Sequence, residues 1–312
     1  MGEDPVFDLQ GEWFILDLCS ELRVIYIVRF TMNFIIRFFK LSHLPATLAV
    51  FLVSGLLSSQ GALAQGSMII NPRLAGSVQA DINGSEFQFA RLQYSGNGGG
   101  GRGGWGRGSW TTDWPEAEHF LTEGISRLTN VDVTQVALYN GEGGERINLA
   151  EDTIFDYPWL YGVEVGRWVL SREEASKLRE YLLRGGFLMV DDFHGSYEWS
   201  QFELGMKQVF PERPIRDIPD NDEVFHVLYD LDSKIQIPGL GAFYRGVTYE
   251  QDGYDPHWRG VYDDHGRLVV AINHNMDLGD AWEHADTPGY PEPMTALAYR
   301  FAVNYVIYSM TH

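Results

Sequence analysis

The chain has 312 residues, 45% of them hydrophobic and 14% aromatic, and a net charge of −20 at pH 7. So acidic a surface repels nucleic acid and anionic lipid, which sets both aside as partners. The one cysteine, Cys19, falls in a stretch expected to be removed, so the mature protein is read as having neither a disulfide framework nor a thiol nucleophile.

From Met32 the chain reads as an export signal. Arg37 and Lys40 form a basic start, Leu44 to Leu57 an apolar centre, and Ala62-Leu63-Ala64 a small-x-small cleavage pattern. A membrane anchor is the alternative, but the apolar stretch is short for a bilayer span and Ser58-Ser59-Gln60 closes it. The mature chain is therefore expected to begin near Gln65, after cleavage at Ala64, as a periplasmic or secreted protein with no membrane span. Residues 1–31 precede a complete signal (32–64) and read as a misassigned start or a non-native extension. Residues 65–85 are small and polar, a tether, and residues 86–312 read as a single α/β domain.

Phe87 to Tyr94 alternates as a first strand. It runs into a loop at 96–108 in which nine of thirteen residues are glycine. A flexible connection is the plain reading, because neither Walker spacing nor a GxGxxG ahead of a helix is present. Thr112-Asp113-Trp114-Pro115 starts a helix, with a capping oxygen and proline in the first turn, running to about Leu128. Val131 to Leu138 reads as a β-branched strand and Pro158 to Tyr161 as a short aromatic one. Ser171-Arg172-Glu173-Glu174 is a capping box opening a helix that ends at Gly185-Gly186. Phe187 to Val190 is continuously apolar, as expected of a strand covered on both faces. Trp199 to Phe210 reads as helix. Asp263-Asp264-His265-Gly266 is a hairpin turn between Arg259 to Tyr262 and Leu268 to Ile272. A last helix, Met294 to Met310, places Leu297, Phe301, Tyr305 and Tyr308 on one face. The alternation predicts a three-layer α/β fold: a mostly parallel sheet, helices on both faces, and an added hairpin.

Two strand ends carry the polar chemistry. One is Asp191-Asp192-Phe193-His194-Gly195. The other runs from Asn273 to His284 and holds two histidines, three carboxylates and a tryptophan. Carboxyl ends of parallel strands share one edge, so the two runs are expected to face a common crevice, unless the hairpin turns the second strand antiparallel. Asp191, Asp192, His194, Asn275, Asp277, Asp280, Trp282 and Glu283 are the candidate ligand-binding residues. For a divalent metal, Asp192, His194, His274, Asp277 and Asp280 are the candidate donors, with Glu283 and His284 nearby, although their spacing matches no established metal motif. Against this, acidic loops in an anionic protein are commonly solvated surface or helix caps, and Asp277 and Asp280 suit a cap around Gly279. Paired carboxylates acting on a glycan, with Trp282, Trp199 or Tyr197 as a sugar platform, are a further option. Its counterpart is Trp282 buried in the core beside Trp258. No GxSxG elbow is present, which argues against an esterase-type triad.

The ordered pattern Trp110-x-Thr112-Asp113-x-Pro115, Tyr161, Gly185-Gly186-Phe187-x-x-x-Asp191-Asp192-Phe193, Gly260-Val261-Tyr262, Gly266-Arg267-Leu268 and Asn275-x-Asp277-Leu278-Gly279-Asp280-x-Trp282-Glu283 resembles a bacterial exported family catalogued as domain of unknown function 4159. The resemblance covers about Phe87 to Met310 and implies a flavodoxin-like fold related to class I glutamine amidotransferases. In those relatives a cysteine occupies the tight turn after a central strand. Here that turn resembles Asp191 to Gly195 and carries no thiol, which removes thiol-based amide transfer.

Three readings follow. The first is a non-enzymatic ligand-binding or assembly module of the cell envelope that keeps an amidotransferase-like crevice without its nucleophile. The second is a metal-assisted or carboxylate-based hydrolase acting on envelope glycan or peptide, with Asp192, His194, Asp277 and Asp280 as working groups. The third is a structural envelope protein. An envelope protein or a cell-wall fragment is the expected partner, and a divalent metal the one cofactor the donors suit.

Overall fold

The computed structural model describes residues 84–96 and 109–312. The extension at 1–31, the export signal at 32–64, nearly all of the tether at 65–85 and of the glycine-rich loop at 96–108 lie outside the described residues. Seven strands, β1 (Ala90–Gln93), β2 (Glu145–Asn148), β3 (Trp159–Val163), β4 (Phe187–Asp191), β5 (Arg216–Asp217), β6 (His257–Tyr262) and β7 (Leu268–His274), form one sheet. Their order is β2-β1-β3-β4-β7-β6-β5. The first five in that order run parallel, while β6 is antiparallel to β7 and β5 to β6. The expected hairpin is therefore present, and β7 still runs parallel to β4 through Leu188↔Val270 and Val190↔Ile272.

Among the described residues six helices accompany the sheet: α1 (Glu116–Leu128), α2 (Arg172–Leu183), α3 (Gly195–Val209), α4 (Leu240–Tyr244), α5 (Leu278–Glu283) and α6 (Glu292–Thr311). Alternate strand residues point to opposite faces. Trp159, Tyr161, Phe187 and Met189 join Leu121 of α1, Trp282 of α5, and Phe301 and Tyr305 of α6 in one core. Leu160, Leu188 and Val190 join Leu178 of α2 and Phe202 of α3 in another. With helices against both faces, every residue of β4 is buried, which explains its unbroken apolar run. The capping box of α2 is complete: Glu174 N donates to Ser171 Oγ and the Ser171 amide donates to Glu174 Oε2. Among the described residues no helix is long and apolar enough to cross a membrane.

Several local expectations change. Val131 to Leu138 is not a strand: only Val133 bridges, to Phe87. Further along, that segment is held by α1 instead, with His119 Nδ1 2.7 Å from the Val136 carbonyl and the Val136 amide donating to Thr122 Oγ1. The place beside β1 goes to β2, a polar edge strand with only Ile147 buried. The first strand is shorter than read, since Phe87 and Phe89 are buried but precede its ladder. Helix α3 begins at Gly195, four residues before the predicted start. No side chain caps α1, and Asp113 adopts a left-handed φ of 59° in the turn before it.

Candidate functional site

Five non-glycine residues among those described have positive φ: Asp113, Glu164, Asp192, Gln251 and Asn275. Four of them sit where a strand has just ended or a helix is about to begin. Glu164 follows β3, Asp192 follows β4 and Asn275 follows β7, all at the carboxyl edge of the parallel sheet, while Asp113 stands in the turn entering α1. Asp and Asn tolerate the left-handed region through local hydrogen bonding, whereas Glu and Gln there are held by their surroundings. The backbone stitches these turns together. Glu164 N donates to the Asp191 carbonyl, Asp192 N to that of Met276, and Asn275 N to that of Phe193. The two polar runs picked out in the sequence therefore do meet, as parallel strand ends require.

Asp191 is fully buried. Its Oδ2 accepts from the amides of Leu278 (2.7 Å) and Gly279 (3.0 Å) and from the Tyr161 hydroxyl (3.3 Å), which ties β4 to the start of α5. Burial, and after it the charge of Asp192, pushes the Asp191 carboxyl up to about 8 despite those amides. Asp192, next along, places Oδ1 3.1 Å from His194 Nε2. Burial alone would lower His194, but the hydrogen bond and charge of Asp192, with Glu250 and Glu198, carry it above the ordinary histidine value.

Asp277 caps α5 by accepting from Asp280 N at 2.8 Å, so the cap expected of it is real. The same side chain also enters a cluster: one carboxylate oxygen each from Asp113, Asp192 and Asp277 lies within 4.8 Å of the others. Burial, followed by neighbouring carboxylates, raises Asp113 and Asp277 well above the usual range. Glu164 is pushed up to about 9, first by burial and then by Asp192, with Arg167 pulling the other way. These are the electrostatics of too many negative charges in too little water.

Asp280, Glu283 and His284 make a second, more open group at one end of α5. Asp280 is partly committed to structure, accepting from Leu240 N and lying 3.4 Å from His284 Nε2. Burial and then Asp280 raise Glu283, which reaches Asp113 closely enough to hydrogen-bond with it.

Other expected residues are placed elsewhere. His274 does not join the carboxylates: its Nε2 faces the Gly195 carbonyl at 3.2 Å, and its ring packs on Phe193, Trp199 and His257. Burial pulls it down to about 3, so it stays neutral. Asn275 spends both ends of its amide on scaffold, accepting from Gly195 N and donating to the Asp255 carbonyl. Trp282 is fully buried 5.5 Å from Tyr161, which rules it out as an exposed sugar platform, while Tyr197 is 69% exposed. Trp282→Ala is accordingly expected to cost about 3–5 kcal/mol, seen as a lower urea midpoint, and Tyr197→Ala less than about 0.5 kcal/mol. A similar loss in both would contradict this placement.

Two central residues escaped the sequence reading. Asp113 looked like a helix cap, and Glu164 lay just beyond a strand read as ending too early. For Glu164 the usable signal was an apolar and aromatic run, Trp159 to Val163, ending in a charged residue, whereas Asp113 follows the polar pair Thr111-Thr112 and carried no such signal.

Asp113 is held from beneath. Arg91, wholly buried on β1, forms a two-pronged ion pair with Glu118 of α1 and donates to the carbonyls of Trp110 (3.1 Å) and Thr112 (2.8 Å). It thereby fixes the turn that delivers Asp113.

A family model described as Domain of unknown function (DUF4159) matches residues 88–310, from β1 through nearly all of α6. No curated protein matches the chain significantly.

Proposed function

The chain belongs to the DUF4159 family, and from that footing we propose that it is an exported cell-envelope module that binds an oxygen-rich ligand, such as a cell-wall fragment, without transforming it. One observation carries this reading: the half-buried Asp113 and the buried Asp192 and Asp277 converge at the carboxyl edge of a parallel sheet. That edge is where α/β proteins place ligands. The strand order β2-β1-β3-β4-β7 supports a flavodoxin-like, amidotransferase-like ancestry. The left-handed turn after β4, which holds Asp192, resembles the turn that carries the nucleophile in amidotransferases.

The test is retention of the purified protein on cell-wall fragments, with the fragments analysed afterwards by mass spectrometry. Expected are retention by the unaltered chain, loss of retention in Asp192→Asn, and fragments of unchanged mass. Retention indifferent to Asp192→Asn would refute the crevice as the binding site.

One feature favours a hydrolase instead. Asp192 stands at a left-handed turn between a central strand and a helix, hydrogen-bonded to His194, an arrangement suited to a carboxylate nucleophile or base. Cleaved fragments in the same experiment, with cleavage lost in Asp192→Asn, would select that reading.

A further inference from the structure

We infer that Asp113, Asp192 and Asp277 hold a hard divalent cation, through which the crevice presents open coordination positions to an oxygen-bearing ligand. The inference rests on the crevice being the binding site and names its chemistry. The three donor oxygens lie within 4.8 Å of one another and come from three separate segments: the turn before α1, the turn after β4 and the cap of α5.

Two arginines among the described residues are already engaged. Arg91 is paired with Glu118, and Arg167 lies 3.1 Å from Glu164 and 3.5 Å from Glu198. A second observation points into the same space: among the described residues, Asp113 Oδ2 is buried and accepts no hydrogen bond. Buried carboxylate oxygens without donors are expensive and call for a proton or a metal.

Bare backbone lines the cluster. A Cβ on Gly279 would sit 2.6 Å from both Asp113 Oδ2 and the Tyr161 hydroxyl, and one on Gly239 2.5 Å from Asp277 Oδ2. Three carboxylates with no thiolate favour magnesium, calcium or manganese over softer metals. Three protein donors leave the remaining positions of a cation that takes six or more oxygens to water and ligand. The more open group at Asp280 and His284 is the weaker candidate, because Asp280 is already bonded to Leu240 N and paired with His284.

The full chain, stripped with EDTA and dialysed, is titrated by calorimetry with magnesium, calcium and manganese chlorides. At least one of these is expected to bind once per chain, with a Kd of roughly 10⁻³ M or tighter, and to raise the melting temperature. Asp113→Asn and Asp277→Asn are each expected to weaken binding tenfold or more. Both are isosteric and relieve repulsion, so folding is retained and can be checked by circular dichroism. Asp264→Asn, an exposed acid paired with Arg213, serves as the control and should leave binding unchanged. No stoichiometric binding of any of the three, or full binding by Asp113→Asn, overturns the inference. A chain that binds one cation but is not retained on wall fragments upholds it while sinking the envelope-ligand reading. A chain retained on fragments that binds no cation does the reverse.

Discussion

Arg91→Met is expected to destabilise the protein by about 3–5 kcal/mol, the usual cost of breaking a buried ion pair by removing one partner. Arg91 and Glu118 are 0% and 2% exposed, so the carboxylate left behind has no water to turn to. The carbonyls of Trp110 and Thr112 lose their donor in the same change. For a domain of this size such a loss lowers the melting temperature by roughly 10 °C. The damage should not stop at stability: the freed turn carries Asp113, so cation binding weakens as well. Arg91→Met combined with Glu118→Leu is expected to recover most of the stability, because an apolar pair of similar volume avoids the desolvation cost. It should not recover binding, since the hydrogen bonds to the 110–112 turn remain absent. Urea denaturation of the two variants decides the matter, and a loss below about 1 kcal/mol in the single variant would show the pair to be dispensable.

Between pH 7 and pH 9 the cation-free protein is expected to lose stability as the pH rises. Glu164 is pushed up to about 9 and Asp191 to about 8, against roughly 4 in the unfolded chain. Across that window the folded form holds more protons than the unfolded one, so the free energy of unfolding falls with pH. The cost is absent below about pH 4, grows through the window and levels off above the folded values. Each group contributes at most about 1.4 kcal/mol per pH unit. His194, also raised, adds in the same direction at the lower end. His274 opposes it, but only below its unfolded value of about 6.5, because it is neutral in the fold and protonated when unfolded. Glu164→Gln should therefore stabilise the protein at both pH 6.5 and pH 8.5, and by more at pH 8.5. Saturating divalent cation should flatten the slope by replacing the protons. Urea midpoints at the two pH values, in EDTA, give the answer, and a midpoint that rises with pH would contradict the electrostatics described.

Much of this architecture could be read before any coordinates, for identifiable reasons. Phe187 to Val190 announced a strand covered on both sides because nothing else keeps four consecutive apolar residues out of water. The box at Ser171 and the turn at Asp263 to Gly266 are local devices whose partners lie within a few residues, so sequence alone displays them. Non-local features were harder. Val131 to Leu138 has the composition of a strand but lost its place beside β1 to the polar β2, a competition decided by packing against α1.

The site shows the same division. Asp192 and Asp277 stood out because each lies at the end of an apolar strand. Their meeting depended on β7 running parallel to β4, which the hairpin left open. Asp113 satisfied a local rule for helix caps, yet its carboxylate turns toward the strand edge. Glu164 required knowing where β3 stops. Left-handed turns after three parallel strands are a tertiary pattern, visible only once the sheet is assembled.

A carboxylate cluster that serves as a binding centre takes up a divalent cation at the strand edge. Anomalous scattering from crystals soaked in manganese tests it most directly. One strong peak is expected within roughly 2.0–2.6 Å of an oxygen from each of Asp113, Asp192 and Asp277. A cluster that stays free of manganese while peaks arise elsewhere on the acidic surface would contradict it.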